Sequence, residues 1–376
     1  MEASAPLVGG AAVLSSARWS AFRLSKHFIA LAFAEVGWPS LYVDPTVSLL
    51  SPLRQPTRLG DLLGPRIEKV DDRLSIWRPV GVPGQDSRVG LRVNGRLLAG
   101  GVARHLERPE VTILFSFQAR GAVRRLPGKT VYHCTDSVED RPDMDTGDIQ
   151  RAELELAGSV DLVTACSLPL VEQLAARGVD AHYVPHGCDA ASFVDPGPPP
   201  DVLAELRRPL VGFVGSVNHR VDPALLAAAA DATDGGTLVV IGGGFGPGPP
   251  PGTAEVLRRP DVVATGHRPP EELPAYMAAL DVGIVPYLED GFGRKSFPIK
   301  VAQYLACGLP VVSTPNGATD EYGAVVEVAS GPAAFAAAVR RALEHRTEAD
   351  ATERRRIATE RPWTSIVGDF LRLLDG

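Results

Sequence analysis

Short apolar runs alternate with segments of helical period along most of the chain. AAVLSS (11–16), SLYVDP (40–45), VTILFS (111–116), TVYHCT (130–135) and DLVTACS (161–167) read as strands, and AFRLSKHFIALAFAEVG (21–37) has the apolar spacing of a helix. Such alternation predicts βα units on a parallel sheet. A proline-rich break, VDPGPPPD (194–201), interrupts the pattern, and a second series follows it: PLVGFVGS, the helical VDPALLAAAADA, TLVVIGGG, DVVATG, the helical PEELPAYMAAL, DVGIVPY and PVVSTP. The prediction is an α/β chain of two Rossmann-like, doubly wound domains facing each other across a cleft. Their bounds are 1–194, a linker 195–208, a second domain 209–355 and a closing helix 356–376. In the last of these Trp363, Ile366, Phe370 and Leu373 fall at helical spacing. Open α/β sheets bind ligands at the carboxyl ends of their strands, so the cleft is the place to look for chemistry.

Composition narrows the class. At 376 residues the chain exceeds the roughly 250–300 at which single cores stop growing, which agrees with two domains. A net charge of −7 argues against general nucleic-acid binding. Cys134, Cys166, Cys188 and Cys307 lie far apart without a CxxC pair, which suits a reducing cytoplasm. No basic segment leads into an apolar one at the N-terminus, and no apolar run reaches membrane-spanning length, so a cytoplasmic location is expected.

The segment SFPIKVAQYLACGLPVVSTP (296–315) carries the candidate chemistry. Pro298 suits a first helical turn and Gly308 a stop, predicting a helix from about Phe297 to Cys307. Ile299, Ala302, Leu305 and Ala306 would share its buried face, leaving Lys300 and Gln303, spaced i and i+3, together on an outward one. A phosphate arriving past the loop GFGRKS would meet free helix amides, the helix dipole and the Lys300 ammonium, with Gln303 in reach of a ribose hydroxyl. A solvated surface helix would show the same two polar residues, but this one follows a strand and a glycine loop where the architecture builds ligand contacts.

The run DVGIVPYLEDGFGRKSFPIKVAQYLACGLPVVSTP resembles the donor-binding core of GT-B glycosyltransferases, in particular family 4 and its teichuronic acid and exopolysaccharide relatives, with their Pro-Leu-Lys helix running into EYLAxGxPVV. VYHCTDS, DLVTACS, VPHGCD, LVGFVGSVNHRVD and VVATGHRPPEELPAYMAALDVG resemble further family segments in the same order. The resemblance implies a C-terminal domain that holds a nucleotide sugar, UDP-linked, through Gly215, Ser216, Arg220, Lys295, Ser296, Ile299, Lys300 and Gln303. It implies an N-terminal domain for a small-molecule or lipid-linked glycan acceptor. The nucleotide sugar is a co-substrate, and no further cofactor is implied. Many family 4 members carry two glutamates where this chain has Lys295 and Gln303. Family 4 implies retention at the anomeric carbon, whereas the xanthan glucuronosyltransferase, similar in having Lys and Gln here, implies inversion.

Other residues fit that frame. Gly215 and Ser216 permit close backbone approach, and Arg220 suits a bidentate diphosphate contact. His133 and Asp136 lie at a strand end facing the expected cleft and are the catalytic candidates. Either could orient the sugar or take a proton from the acceptor hydroxyl, with Asp136 favoured as the base of an inverting reaction. In a retaining one both would bind sugar hydroxyls or stabilise positive charge at the anomeric carbon. His186, before a glycine, reads as a structural turn. Trp19, Arg23 and His27 follow the first strand and are candidate acceptor contacts. Arg92, Arg96, Arg104 and Arg108 form a basic amphipathic stretch suited to anionic lipid and a peripheral membrane contact. Asp143 and Asp145 make a DxD, but Lys300 and Arg220 already supply the charge a metal would bring, so no metal is expected.

Three other classes compete. In a nicotinamide dehydrogenase IGGGFGPG would have to open a helix, but it leads into PGPPPG. A sugar-nucleotide epimerase shares the two-domain architecture and would consume donor without acceptor. A non-catalytic nucleotide-sugar-binding subunit would bind donor and never turn it over.

Overall fold

The computed structural model describes residues 9–19, 23–50, 64–84, 87–138, 140, 146–244 and 248–375. Among the described residues the first half forms ten strands, β1 (Gly10–Leu14), β2 (Ser40–Val43), β3 (Val47–Ser48), β4 (Ile67–Lys69), β5 (Leu74–Trp77), β6 (Val80–Gly81), β7 (Pro109–Leu114), β8 (Lys129–Cys134), β9 (Leu162–Ala165) and β10 (His182–Tyr183). The five apolar runs of the first series become β1, β2, β7, β8 and β9, and the other five are strands those runs do not predict. Eight of the ten form one sheet in the order β10-β9-β8-β7-β1-β2-β5-β4, and β3 pairs with β6 apart from it. The neighbours in the large sheet pair in parallel except β4 with β5. Helices cover both faces of a parallel sheet, which is why β1, β2 and β9 are buried at every residue and read as apolar runs instead of alternating ones.

The second series supplies β11 (Leu210–Val214), β12 (Thr237–Ile241), β13 (Val262–Gly266), β14 (Val282–Val285), β15 (Val311–Ser313) and β16 (Val326–Val328). They make a wholly parallel sheet, β13-β12-β11-β14-β15-β16. In each sheet the order reverses at its first strand, between β1 and β7 and between β11 and β14. The loops leaving these pairs diverge and open a crevice at the carboxyl ends.

The tail departs from the sequence reading. Residues 356–376 do not form one closing helix: Glu348–Thr359 ends within that range and Trp363–Asp375 begins after a turn. The last helix packs on the N-terminal sheet's first helix, Ser25–Glu35, with Phe28 and Trp363 stacked at 5.3 Å and 6°. Trp363, Ile366, Val367 and Phe370 are buried in the N-terminal core. The chain therefore passes between the domains twice, and the two passages meet where Cys188 N–H donates to Arg361 O at 2.8 Å.

Candidate active site

The loops leaving β11 and β14 are tied to one another. Gly215 closes β11 with φ +145°, a conformation that favours glycine, while its N–H donates to Ile241 O at 2.9 Å. Further along, Asp222 N–H donates to Pro286 O at 2.9 Å and Leu288 N–H to Arg220 O at 2.7 Å, around an antiparallel bridge of Val221 with Tyr287. Ser216 Oγ donates to Gly243 O at 3.1 Å, which fixes the loop to the end of β12.

Lys300 lies inside this frame, not on an outward face. The helix spans Lys300–Ala306, shorter than the predicted Phe297–Cys307, and the side chain that shares the Lys300 face is Tyr304. Lys300 is buried; its Nζ donates to Tyr287 Oη at 2.9 Å and sits 4.4 Å from the Phe213 ring centroid and 5.0 Å from that of Tyr287. A Cβ on residue 215 would run into Lys300 Nζ, so the glycine leaves room for the ammonium as well as for the turn. Among the described residues no carboxylate pairs with Lys300. A buried ammonium without a counter-ion is costly, and an anion brought over Gly215 would offset that cost.

The helix amides contribute less than the sequence reading supposed. Val301 N–H already donates to Pro298 O at 3.2 Å and Gln303 N–H to Ile299 O at 3.2 Å. Ser296 Oγ is buried and turned back to Gly293 O at 2.8 Å, so it is a structural bond and not a donor contact. Ile299 is half-buried against the N-terminal core cluster, and Gln303 is half-buried one turn into the helix.

Tyr287, absent from the sequence reading, is the hub. Burial pushes its phenol up, but the Lys300 ammonium and the Arg220 guanidinium outweigh burial and hold it below its ordinary value. Arg220 lies 4.3 Å over the Phe292 ring and its Nη2 is 3.6 Å from Asp136 Oδ1 of the N-terminal domain. Beside it Lys295 Nζ donates to Asp140 Oδ2 at 2.7 Å, and Ser167 Oγ donates to Lys295 O at 2.6 Å.

On the N-terminal side the two catalytic candidates separate. Asp136 is 43% exposed at its side chain and faces the crevice. His133 is wholly buried, with ring centroids of Phe115, Phe370 and His186 at 5.5, 5.2 and 6.2 Å; Thr164 Oγ1 lies 2.9 Å from its Nδ1. Burial pushes its ring well below the usual histidine range. His133 touches no open space and is a core residue, which corrects the expectation of a catalytic role. His186 spans the domains instead, its Nδ1 3.0 Å from Phe297 O.

The acceptor candidates also divide. His27 is fully buried: its Nδ1 accepts from Leu24 N–H at 3.0 Å, and Arg18 O and Tyr42 Oη lie 3.0 and 3.1 Å from its Nε2. It caps its own helix and cannot reach an acceptor. Trp19 is half-buried, edge-on to Tyr42 at 5.0 Å, and its backbone N–H donates to Asp44 Oδ1 at 2.8 Å. Arg23 covers Trp19 at 4.4 Å; burial lowers its guanidinium pKa, with Glu271 of the opposite domain acting against that. A small pocket that sequence reading missed lies at the carboxyl ends of β1, β2 and β7, lined by Ser15, Asp44, Thr46, Ser116 and Gln118 among others. Its residues are scattered over three loops, and no periodicity announces them.

On the helix Arg88–His105, Arg88, Arg92, Arg96 and Arg104 are exposed on one side together with Val89 and Leu97, and Arg108 is exposed just beyond it. Asp143 and Asp145 lie outside the described residues. Among the described residues no three His, Cys, Asp or Glu side chains gather as a metal site would require, and no helix is long and apolar enough to cross a membrane.

This constellation, two Rossmann-like sheets meeting over a cation-lined crevice, is the GT-B architecture. Residues 208–345, most of the second domain, match the family model described as glycosyl transferases group 1. The Bacillus subtilis (strain 168) protein TuaH, a teichuronic acid biosynthesis glycosyltransferase by name, is 29% identical over 238 residues, covering 60% of this chain and 59% of TuaH. Sucrose-phosphate synthase from Thermosynechococcus elongatus superposes with a TM-score of 0.72 at 15% identity, over 97% of this chain and 98% of that one. Anabaena HepE, solved with UDP and glucose, superposes with a TM-score of 0.69 at 15% identity, over 98% of this chain and 100% of HepE.

Proposed function

We propose that the chain is a glycosyltransferase that moves a hexosyl group from a UDP-linked sugar to a hydroxyl of a cell-surface polysaccharide intermediate. The observation that carries this reading is Lys300, a buried ammonium with no carboxylate partner among the described residues, held under the glycine turn that closes β11. Bond cleavage leaves negative charge on the nucleoside diphosphate, and charge that develops on a leaving group is what a preorganised, poorly solvated cation stabilises best. Lys300 would meet that charge from below and the Arg220 fork from the side. Gln303 sits one turn further on, with an amide suited to a ribose hydroxyl.

Asp136 faces Arg220 across the crevice, and in an inverting reaction it would take the acceptor's proton. TuaH supports a polysaccharide acceptor, and HepE, crystallised with UDP and with glucose, supports the uridine donor. The exposed arginines of the Arg88–His105 helix, interleaved with Val89 and Leu97, suit a peripheral contact with anionic lipid where a lipid-linked acceptor would wait.

The test is calorimetric titration with UDP, GDP, dTDP and ADP and their common sugar conjugates, for the wild type and Lys300→Ala. Binding of one uridine ligand, weakened in the variant, supports the donor site. Equal binding in both proteins would remove Lys300 from it. Consumption of donor without any acceptor would point to the epimerase.

A further inference from the structure

Two carboxylates on the loop after β8, Asp136 and Asp140, already pair with cations of the crevice. Asp140 holds Lys295 at 2.7 Å, and the fit is close: a Cβ on Gly291 would stand 2.5 Å from Asp140 Oδ1. Asp136 holds Arg220 less well, at 3.6 Å, with side-chain exposures of 43% and 31%.

Arg220 cannot follow Asp136 if that loop moves. Phe292 supports its guanidinium, Asn218 Oδ1 accepts its backbone N–H at 3.1 Å, and its carbonyl accepts from Leu288 at 2.7 Å. Its Nε is buried with no hydrogen-bond partner, and the carboxylate oxygen at Nη2 is beyond ordinary hydrogen-bond length. A guanidinium fork that is fixed in place and poorly satisfied on one edge suits a bidentate oxyanion better than the single oxygen it has.

We propose that Asp136 is a placeholder for the donor diphosphate on Arg220. The carboxylate and the diphosphate compete for one guanidinium, and arrival of the donor releases Asp136 into the crevice. This rests on the donor-site reading above. It gives Asp136 two effects of opposite sign: the residue needed for turnover is one that weakens donor binding.

The experiment titrates wild type, Asp136→Asn, Arg220→Ala and the double variant with UDP, GDP, dTDP and ADP by calorimetry, without acceptor or sugar. Thermal unfolding first establishes that each is folded, and Asp136→Ser replaces Asp136→Asn if that variant is not. The expected result is that Asp136→Asn binds the preferred nucleotide about fivefold more tightly, the worth of a partly exposed ion pair. The gain should vanish in the Arg220→Ala background. Equal or weaker binding by folded Asp136→Asn overturns the proposal and leaves the donor site standing, and so does a gain that persists without Arg220. Failure of every protein to bind any of the four nucleotides overturns both.

Discussion

Lys300 and Tyr304, one helical turn apart, both reach under β11, one as a charge and the other as a hydrogen-bonding prop. Tyr304 Oη accepts from Val214 N–H at 2.7 Å and donates to Gly212 O at 3.3 Å, while Lys300 Nζ lies over Phe213 between them in sequence. Gly283 leaves room for the Tyr304 ring, where a Cβ would come within 2.5 Å of it. The two residues should therefore fail differently. Tyr304→Phe strands a buried N–H and should cost about 1–3 kcal/mol of stability, read as a lower urea midpoint. Lys300→Ala should weaken the nucleoside diphosphate by roughly 10- to 100-fold, the worth of a charge-assisted bond, with a smaller loss of midpoint. Comparable losses of stability in both variants would make Lys300 a second prop.

Gly215→Ala tests the space over that ammonium. The added methyl meets both a left-handed backbone and Lys300 Nζ, so a loss of about 1–3 kcal/mol is expected. In the Lys300→Ala background part of that penalty should disappear, because one of its two causes is gone. Strictly additive losses in denaturant melts would show that the two residues do not share the site.

His133→Phe separates a core residue from a catalytic one. The ring is sealed among Phe115, Phe370 and His186, so kcat/KM for whichever donor is bound should stay within about twofold of wild type. A loss of several orders of magnitude with normal folding would restore it as a catalytic group.

Acid should destabilise the fold before the carboxylates titrate. Burial pushes His27 and His186 each down to about 4, and His133 well below its usual range. The unfolded chain protonates histidine near 6.5, so between about pH 6.5 and 4 the unfolded state binds the extra protons. Stability then falls as pH falls, by up to ~1.4 kcal/mol per pH unit for each histidine, and these groups add no slope above pH 7. Asp44 and Glu153, raised by burial, act with the opposite sign in acid. The clean readout is a difference: His27→Gln should flatten the dependence of the urea midpoint between pH 6.5 and 5. An unchanged slope would mean that His27 titrates normally in the folded protein.

The sheets were legible because buried parallel strands leave contiguous apolar runs between turn residues, as at Ala11–Leu14 and Leu210–Val214. Lys300 was legible as an anomaly in an apolar helix, but its direction was not. Sequence spacing places Lys300 with Gln303, whereas the absent Cβ of Gly215, far away in the chain, decides that the side chain turns inward. By type and position His27 looks like an acceptor contact and His133 like a catalytic residue, and only the surrounding rings show that they are packing. Asp136 with Arg220 and Asp140 with Lys295 are pairs across domains, and spacing within one chain carries no trace of them.

The return of Trp363–Asp375 to the N-terminal core also bears on how the molecule is made. A ribosome delivers the whole C-terminal sheet before it delivers the residues that cover Phe28 and His133. During synthesis the second domain can close on its own strands, while the first must wait with one face of its core uncovered. Vectorial folding, which ordinarily favours the domain made first, here runs in reverse, and a chaperone that shields nascent apolar surface would find its site on the older half of the chain.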